Sequence, residues 1–120
     1  MNNLKISLII PVYNGEKYIR ETIESVLSQN YSNIEIIVID GNSTDHTKSI
    51  IESFQDLITI FISENDFGQT DAINKGFSFA TGEIINWLNA DDILLPNALN
   101  IISNEFLRDI ELDILCAKEY

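Results

Sequence analysis

Two adjacent carboxylates, Asp91 and Asp92, end the run Asn89-Ala90-Asp91-Asp92. Side by side they repel each other unless a cation sits between or beside them. Oxygen ligands without His or Cys suit Mg2+ or Mn2+, which take one or two carboxylates and complete their shell with phosphate oxygens and water. The competing reading makes Asp91 a helix cap for the next segment and Asp92 a solvated carboxylate. Asp40 carries a similar pair of readings. It is either a cap ahead of Ser43 or, with Asp91 and Asp92 on one edge, a contact to ribose or base. Tyr13 can stack on a base or pack in its turn. Lys75 can neutralise a phosphate or sit solvated on a helix. His46 reads as a surface helix residue, and Cys116 and Trp87 read as core.

The chain that must position these groups has 120 residues, 45% hydrophobic and 22% charged. That is the composition of one soluble globular domain and excludes disordered and collagen-like chains. Its 19 acidic residues against 7 basic ones give a net charge of −12. The basic residues are scattered, so the chain lacks the clusters that neutralise nucleic-acid phosphates or meet an anionic membrane surface. No nucleic-acid partner is expected, and an anionic ligand such as a diphosphate needs a metal cation to help. One cysteine and one histidine exclude a disulfide framework, a Cys-rich zinc site and a His-rich metal site within the chain. No apolar run reaches the roughly 18 residues that span a bilayer. The first apolar run ends in Pro11 and Tyr13-Asn14, as a strand does and a secretory signal core does not. Cytoplasmic residence is the expectation, peripheral to a membrane if a longer enzyme requires it.

The patterns alternate strand and helix. Residues 6–10 are a short β-branched run, a buried strand broken by Pro11 and Asn14-Gly15. Residues 16–29 place Ile19, Ile23, Val26 and Leu27 on one helical face. Residues 34–39 form a second strand ending at Asp40-Gly41. Asn42-Ser43-Thr44-Asp45 supply caps for a helix to about Phe54. Residues 57–62 are a third strand and 64–68 a polar turn. Residues 70–80 form a helix with Ala72, Ile73, Phe77 and Ala80 inward and Gly82 as a left-handed cap. Residues 84–88 are the fourth strand, Pro96 fits the first turn of a helix to about Arg108, and residues 112–117 read as a last strand.

Near-continuous apolar strands alternating with amphipathic helices predict an α/β fold, a mostly parallel sheet flanked by helices on both faces. In such sheets ligands bind beyond the carboxyl ends of the strands. The four strand exits carry Tyr13-Asn14, Asp40, Glu64-Asn65-Asp66, and Asn89 with Asp91 and Asp92, so all four should converge on one rim. No G-x-x-x-x-G-K-[ST] loop occurs and no G-x-G-x-x-G follows the first strand. The P-loop and classical dinucleotide schemes are thereby excluded.

Six segments carry a resemblance: Ser7-Leu8-Ile9-Ile10-Pro11-Val12-Tyr13-Asn14-Gly15, Ser25-Val26-Leu27-Ser28-Gln29-Asn30-Tyr31, Val38-Ile39-Asp40-Gly41-Asn42-Ser43-Thr44-Asp45, Asn74-Lys75-Gly76, Ala80-Thr81-Gly82-Glu83 and Asn89-Ala90-Asp91-Asp92. In order and spacing, over roughly residues 5 to 100, they resemble the N-terminal half of family 2 glycosyltransferases of the GT-A fold. The resemblance implies that residues 1–120 are the donor-binding part of such an enzyme. A nucleotide-diphosphate sugar is its ligand and a hydroxyl acceptor its second substrate. It also implies a place in bacterial polysaccharide or glycan assembly. Asp91-Asp92 correspond to the family's D-x-D-type element: Asp92 would ligate Mn2+ or Mg2+ on the diphosphate, and Asp91 would lie near the ribose or sugar. Pro11, Tyr13 and Asp40 would line the nucleoside pocket, with Glu16 nearby. Many members have a second acidic residue after the second strand, where this chain has Gly41.

By the same resemblance the acceptor half, with the general base, lies beyond Tyr120, and no residue here takes that role. The chain is then a truncated or incomplete product, or a partner supplies the rest, and alone it would bind donor without transferring sugar. Apolar surface left on its last helix and strand would favour a homo-oligomer. Three rival readings make different demands on the sequence. A non-catalytic nucleotide-sugar-binding module predicts binding without turnover. A nucleotidyltransferase wants a Gly- and Arg-rich loop where residues 11–15 stand. A phosphoacceptor receiver domain wants an acidic pair where this chain has Tyr13-Asn14.

Overall fold

The central strand is apolar on both faces because both faces are covered. In the computed structural model, which describes residues 4–108, all seven residues of β1 (Ile6–Val12) are buried. It is followed by α1 (Ile19–Leu27), β2 (Ile34–Asp40), α2 (Thr47–Glu52), β3 (Ile60–Ser63), α3 (Gln69–Phe79), β4 (Ile84–Trp87) and α4 (Ala98–Arg108). The strands form one sheet in the order β3-β2-β1-β4, every pair parallel. The expected strand 112–117 and Cys116 lie outside the described residues. Among those described, no helix is long and apolar enough to cross a membrane.

Alternate residues of the strands build two cores. Leu8, Ile10 and Val12 of β1, with Ile36 and Val38 of β2, meet Ile19, Ile23 and Val26 of α1 and Ile51 of α2. Ile9, Ile37 and Ile39 face the other way, onto Ala72 of α3. A third cluster joins Ile6, Tyr31 and Ile84 to Leu99 of α4. Burying each large aliphatic side chain contributes roughly 1.5–3 kcal/mol. Helix α3 comes close to the sheet because Gly76 lets it: a Cβ there would lie 2.5 Å from Ile9 Cγ2.

Register aligns the strand exits. Val12 stands opposite Asp40 and Asp40 opposite Ser63, whereas β4 stops at Trp87, opposite Ile9. Pro11 does not break β1 as expected. Along β1, Lys5 and Ile9 direct their carbonyls to the β4 side and Val12 to the β2 side. Pro11 therefore turns its missing N–H to the β4 side, past the point where β4 has ended, and no ladder bond is lost.

Several local expectations are corrected. Helix α2 has six residues, because residues 42–45 are held in a loop and start no helix. Trp87 is 46% exposed, since among the described residues β4 is an edge strand; its ring meets Phe77 edge-on at 6.5 Å. Phe77 is itself 39% exposed, and the inward face of α3 is Ala72 and Gly76. Gly82 is not a left-handed cap, for among glycines only Gly68 has positive φ. It is small because a Cβ would lie 2.6 Å from Ser7 Oγ and 2.8 Å from the Lys5 carbonyl oxygen. Pro96 precedes α4, separated from it by Asn97 at φ 64°.

Candidate functional site

The exits of β1 and β2 are laced together before they face any ligand. Asn14 takes a left-handed φ of 49°. Its N–H donates to Ser43 Oγ at 2.8 Å, and its Oδ1 accepts the Thr44 N–H at 2.8 Å. The Gly15 N–H donates to Thr47 Oγ1 at 2.9 Å. Asp45 accepts from the backbone N–H of Thr47 at 2.9 Å and of Glu16 at 3.3 Å. Burial works against the ionised Asp45, and these hydrogen bonds outweigh it, so its carboxyl lies below the ordinary value.

Asp40 ends β2 and is 0% exposed. Its Oδ2 accepts from the Ser43 N–H at 2.9 Å and from Ser63 Oγ at 2.7 Å, and its Oδ1 accepts from Ser43 Oγ. The carboxylate thus ties β2 to β3 and to its own loop. On the β4 side, the buried Thr22 of α1 puts Oγ1 2.8 Å from the Ala90 carbonyl oxygen and 2.7 Å from that of Asp92. That hydroxyl and the Asp92 N–H to Asn89 oxygen bond at 3.0 Å fix the turn after β4.

Above this scaffold opens a cleft of about 870 Å³, within the range of small-molecule sites. All four exits line it: residues 11–15 at and beyond the end of β1, Gly41, Asn42 and Thr44 after β2, Asn65 and Asp66 after β3, and residues 89–91 after β4. Tyr13 is 62% exposed, so its ring is not spent on packing.

The sequence-derived candidates divide. Pro11, Tyr13 and Asp91 line the cleft. Asp40 is not among the lining residues, because its carboxylate points down into the hydrogen bonds just described. Glu16 stands outside the lining, its Oε2 2.7 Å from His46 Nδ1; His46 is exposed as expected. Lys75 is also outside, with Nζ 2.7 Å from Glu64 Oε1. The Glu64 hydrogen bond raises that ammonium above its ordinary value. Asp92 is exposed beside the cleft without lining it. Asn42, Thr44, Asn65, Asp66, Gln69 and Asn89 line the cleft without having been assigned roles from sequence. Asp66 was legible as part of the third strand exit, but only the β2–β3 register brings it over the floor.

The carboxylate pair can be tested for a divalent cation. Among the described residues no group of three His, Cys, Asp or Glu is gathered to hold a metal by itself. Mg2+ and Mn2+ do not need one when phosphate oxygens complete the shell. Asp91 and Asp92 are exposed neighbours, and neither carboxylate meets a protein donor among the described residues. A donor set of two free, adjacent carboxylates at the mouth of a cleft fits a hard cation shared with a diphosphate.

A parallel sheet with a cleft across all four described carboxyl exits and no glycine-rich phosphate loop is an α/β ligand-binding fold, and its likeness to solved glycosyltransferases, at TM-scores of 0.76 to 0.81, makes it one of the GT-A class. The model of "Glycosyl transferase family 2" matches residues 7–117, and the chain belongs to that family. Its sequence is 47% identical over 94 residues to an uncharacterized glycosyltransferase of Rickettsia typhi, covering 78% of this chain and 29% of that one. The crystal structure of S. aureus TarS 1-349 in complex with UDP-GlcNAc superposes with a TM-score of 0.77 at 28% identity, over 88% of this chain and 32% of that one. The mannosyltransferase PcManGT of Pyrobaculum calidifontis, in complex with GDP-Man and Mn2+, gives 0.76 at 25% identity, over 86% and 32%. The chain spans about a third of the length of these relatives.

Proposed function

We propose that this chain is the donor-binding part of a glycosyltransferase that moves a sugar from a nucleoside diphosphate to an acceptor hydroxyl. The observation that carries the reading is the cleft lined by all four described strand exits, with an unpacked Tyr13 on its wall and Asp91 lining it next to the exposed Asp92. The similar folds that hold UDP-GlcNAc and GDP-Man support the ligand class, and the Mn2+ in PcManGT supports the metal. The bacterial glycan setting rests on the family resemblance.

In this reading Pro11 and Tyr13 border the nucleoside, and Asp91 approaches the ribose or sugar. Asp92, beside it, would hold a divalent cation, Mn2+ or Mg2+, which when bound would neutralise the diphosphate and ease its departure. Asp40 acts from beneath, fixing the 42–45 loop against β3. Glu16 fixes the same loop from the rim, through its bonds to the His46 N–H and ring. Lys75 adds positive charge on the β3 side only if released from Glu64. In transfer, the acceptor oxygen attacks the anomeric carbon as the bond to the diphosphate breaks, and the hydroxyl proton passes to a base. The acceptor site and that base are assigned to the additional length of the relatives.

A thermal-shift panel of nucleoside diphosphates with Mn2+ or Mg2+, repeated with chelator, tests this. Stabilisation follows mass action, about 2.7 kcal/mol at a hundredfold excess over Kd. Asp92→Ala removes the metal-dependent part. An intact fold whose melting temperature no nucleotide shifts refutes the reading.

A further inference from the structure

The β3 side of the cleft holds a carboxylate to which the donor-site reading gives no part. Asp66 is half-buried and lines the cleft with Asn65 and Tyr13. Its Oδ1 accepts the Gly68 N–H at 3.0 Å, and no described residue donates to its Oδ2. The carboxylate reaches over Gly41. A Cβ built on that glycine would stand 3.0 Å from Oδ2 and 3.1 Å from Oδ1. Gly41 does not have positive φ, so glycine is there for space: the bare backbone at 41 makes room for the side chain of 66.

The sheet order sets what Asp66 can meet. Asp66 follows β3, but its carboxylate stands over Gly41 at the β2 exit, and among the described strands β2 and β4 flank β1, two interstrand steps or roughly 10 Å apart. A diphosphate sharing a cation with Asp92 lies at the β4 end. A second anion would repel it beside Asp66. The nucleoside then runs across the rim past Tyr13, with its base toward Asp66. An ionised carboxylate only accepts hydrogen bonds. It pairs with a ring N–H, which uracil has at N3 and guanine at N1. On cytosine N3 or adenine N1 it faces a lone pair, so those bases could reach it only through the exocyclic amino group beside the ring nitrogen, and the preference holds where the carboxylate stands opposite the ring position.

We propose that Asp66, seated in the space left by Gly41, is the specificity-determining residue for the base and selects uracil or guanine over cytosine and adenine. The inference rests on the donor-site reading and adds the base to it.

The test is calorimetric titration of UDP, GDP, CDP and ADP, each with Mn2+, into the wild-type chain and Asp66→Asn. The asparagine keeps the shape and can keep the Gly68 bond while presenting an N–H where Oδ2 stood. Wild type should bind UDP or GDP at least tenfold more tightly than CDP and ADP. The variant should lose roughly tenfold to a hundredfold for that preferred nucleotide, the range for one hydrogen bond to a charged group, while CDP holds or gains. Equal wild-type affinity for all four nucleotides overturns the proposal and leaves the donor site standing. So does an equal loss for all four in Asp66→Asn, the mark of a ribose contact or a loosened loop. No binding of any nucleotide overturns both. The wild-type series needs no variant, so a misfolded Asp66→Asn does not shield the proposal.

Discussion

Replacing Asp40 separates a brace from a ligand contact. The carboxylate is 0% exposed and accepts three hydrogen bonds, from the Ser43 N–H, Ser43 Oγ and Ser63 Oγ. Bonds to a charged acceptor contribute about 1.5–3 kcal/mol each, and neutral ones nearer 1. In Asp40→Asn the amide oxygen can take the two donors now on Oδ2, and the Ser43 hydroxyl can turn to accept from the amide nitrogen. What is lost is the charge on all three bonds, about 2–3 kcal/mol in sum. Asp40→Ala orphans the donors of the buried Ser43, at about 3–5 kcal/mol. With about 3–6 °C per kcal/mol for a domain of this size, the asparagine variant should melt about 6–18 °C below wild type. The assay is thermal unfolding by circular dichroism, with and without saturating nucleotide and Mn2+. Ser63→Ala should cost less in Asp40→Asn than in wild type, because the bond the two residues share has by then lost its charge-assisted part. An unchanged melting temperature with nucleotide binding abolished would refute the reasoning and return Asp40 to the ligand.

Other expectations follow from individual contacts. Tyr13→Ala should leave the unliganded melting temperature within about 1 °C, because the ring is mostly exposed. It should weaken nucleotide binding by about 1–3 kcal/mol, the usual worth of a base stacked on an aromatic ring, read by calorimetry. Gly76→Ala improves helix propensity yet should destabilise by about 1–3 kcal/mol in urea unfolding, since its Cβ would lie 2.5 Å from Ile9 Cγ2. Glu35, at the opposite edge of the sheet, is 6% exposed; it accepts from Ser7 Oγ at 2.7 Å and from Thr81 N and Oγ1 at 2.9 Å, with Lys5 Nζ 3.5 Å away. Burial raises its pKa, and these partners more than reverse that, leaving it below its ordinary 4.5. Its stabilisation is therefore complete above about pH 4.5 and fades as pH falls through the lower folded value. The gap in melting temperature between wild type and Glu35→Gln should shrink accordingly in an acid titration.

Strand order along the chain was legible because residues 6–10 and 34–39 are apolar without alternation, as strands covered on both faces must be. The rim was legible from the polar residues that end each run. Sequence could not give the depth of each side chain. Asp40 and Asp66 are both carboxylates at strand exits, yet one points into the serines beneath and the other over a glycine, and that depends on the register of β2 and β3. Trp87 looks like core by residue type, but edge position is a property of strand order. Lys75 sits on the expected helix, and its partner is decided by the turn that brings Glu64 beside it. Gly82 reads as a helix cap by spacing, whereas the close approach of the Lys5 and Ser7 backbone accounts for it.

The claim on which all else depends is that a metal-bound nucleotide sits on the carboxyl rim of the sheet. Paramagnetic broadening of amide resonances by Mn2+ with a nucleoside diphosphate reads that position directly. The account predicts loss of signal centred on residues 89–92 and extending to 13–15, while Glu35, Thr81 and Gly82 on the far edge stay sharp. Broadening centred on the far edge, or spread evenly over the chain with and without nucleotide, would contradict it.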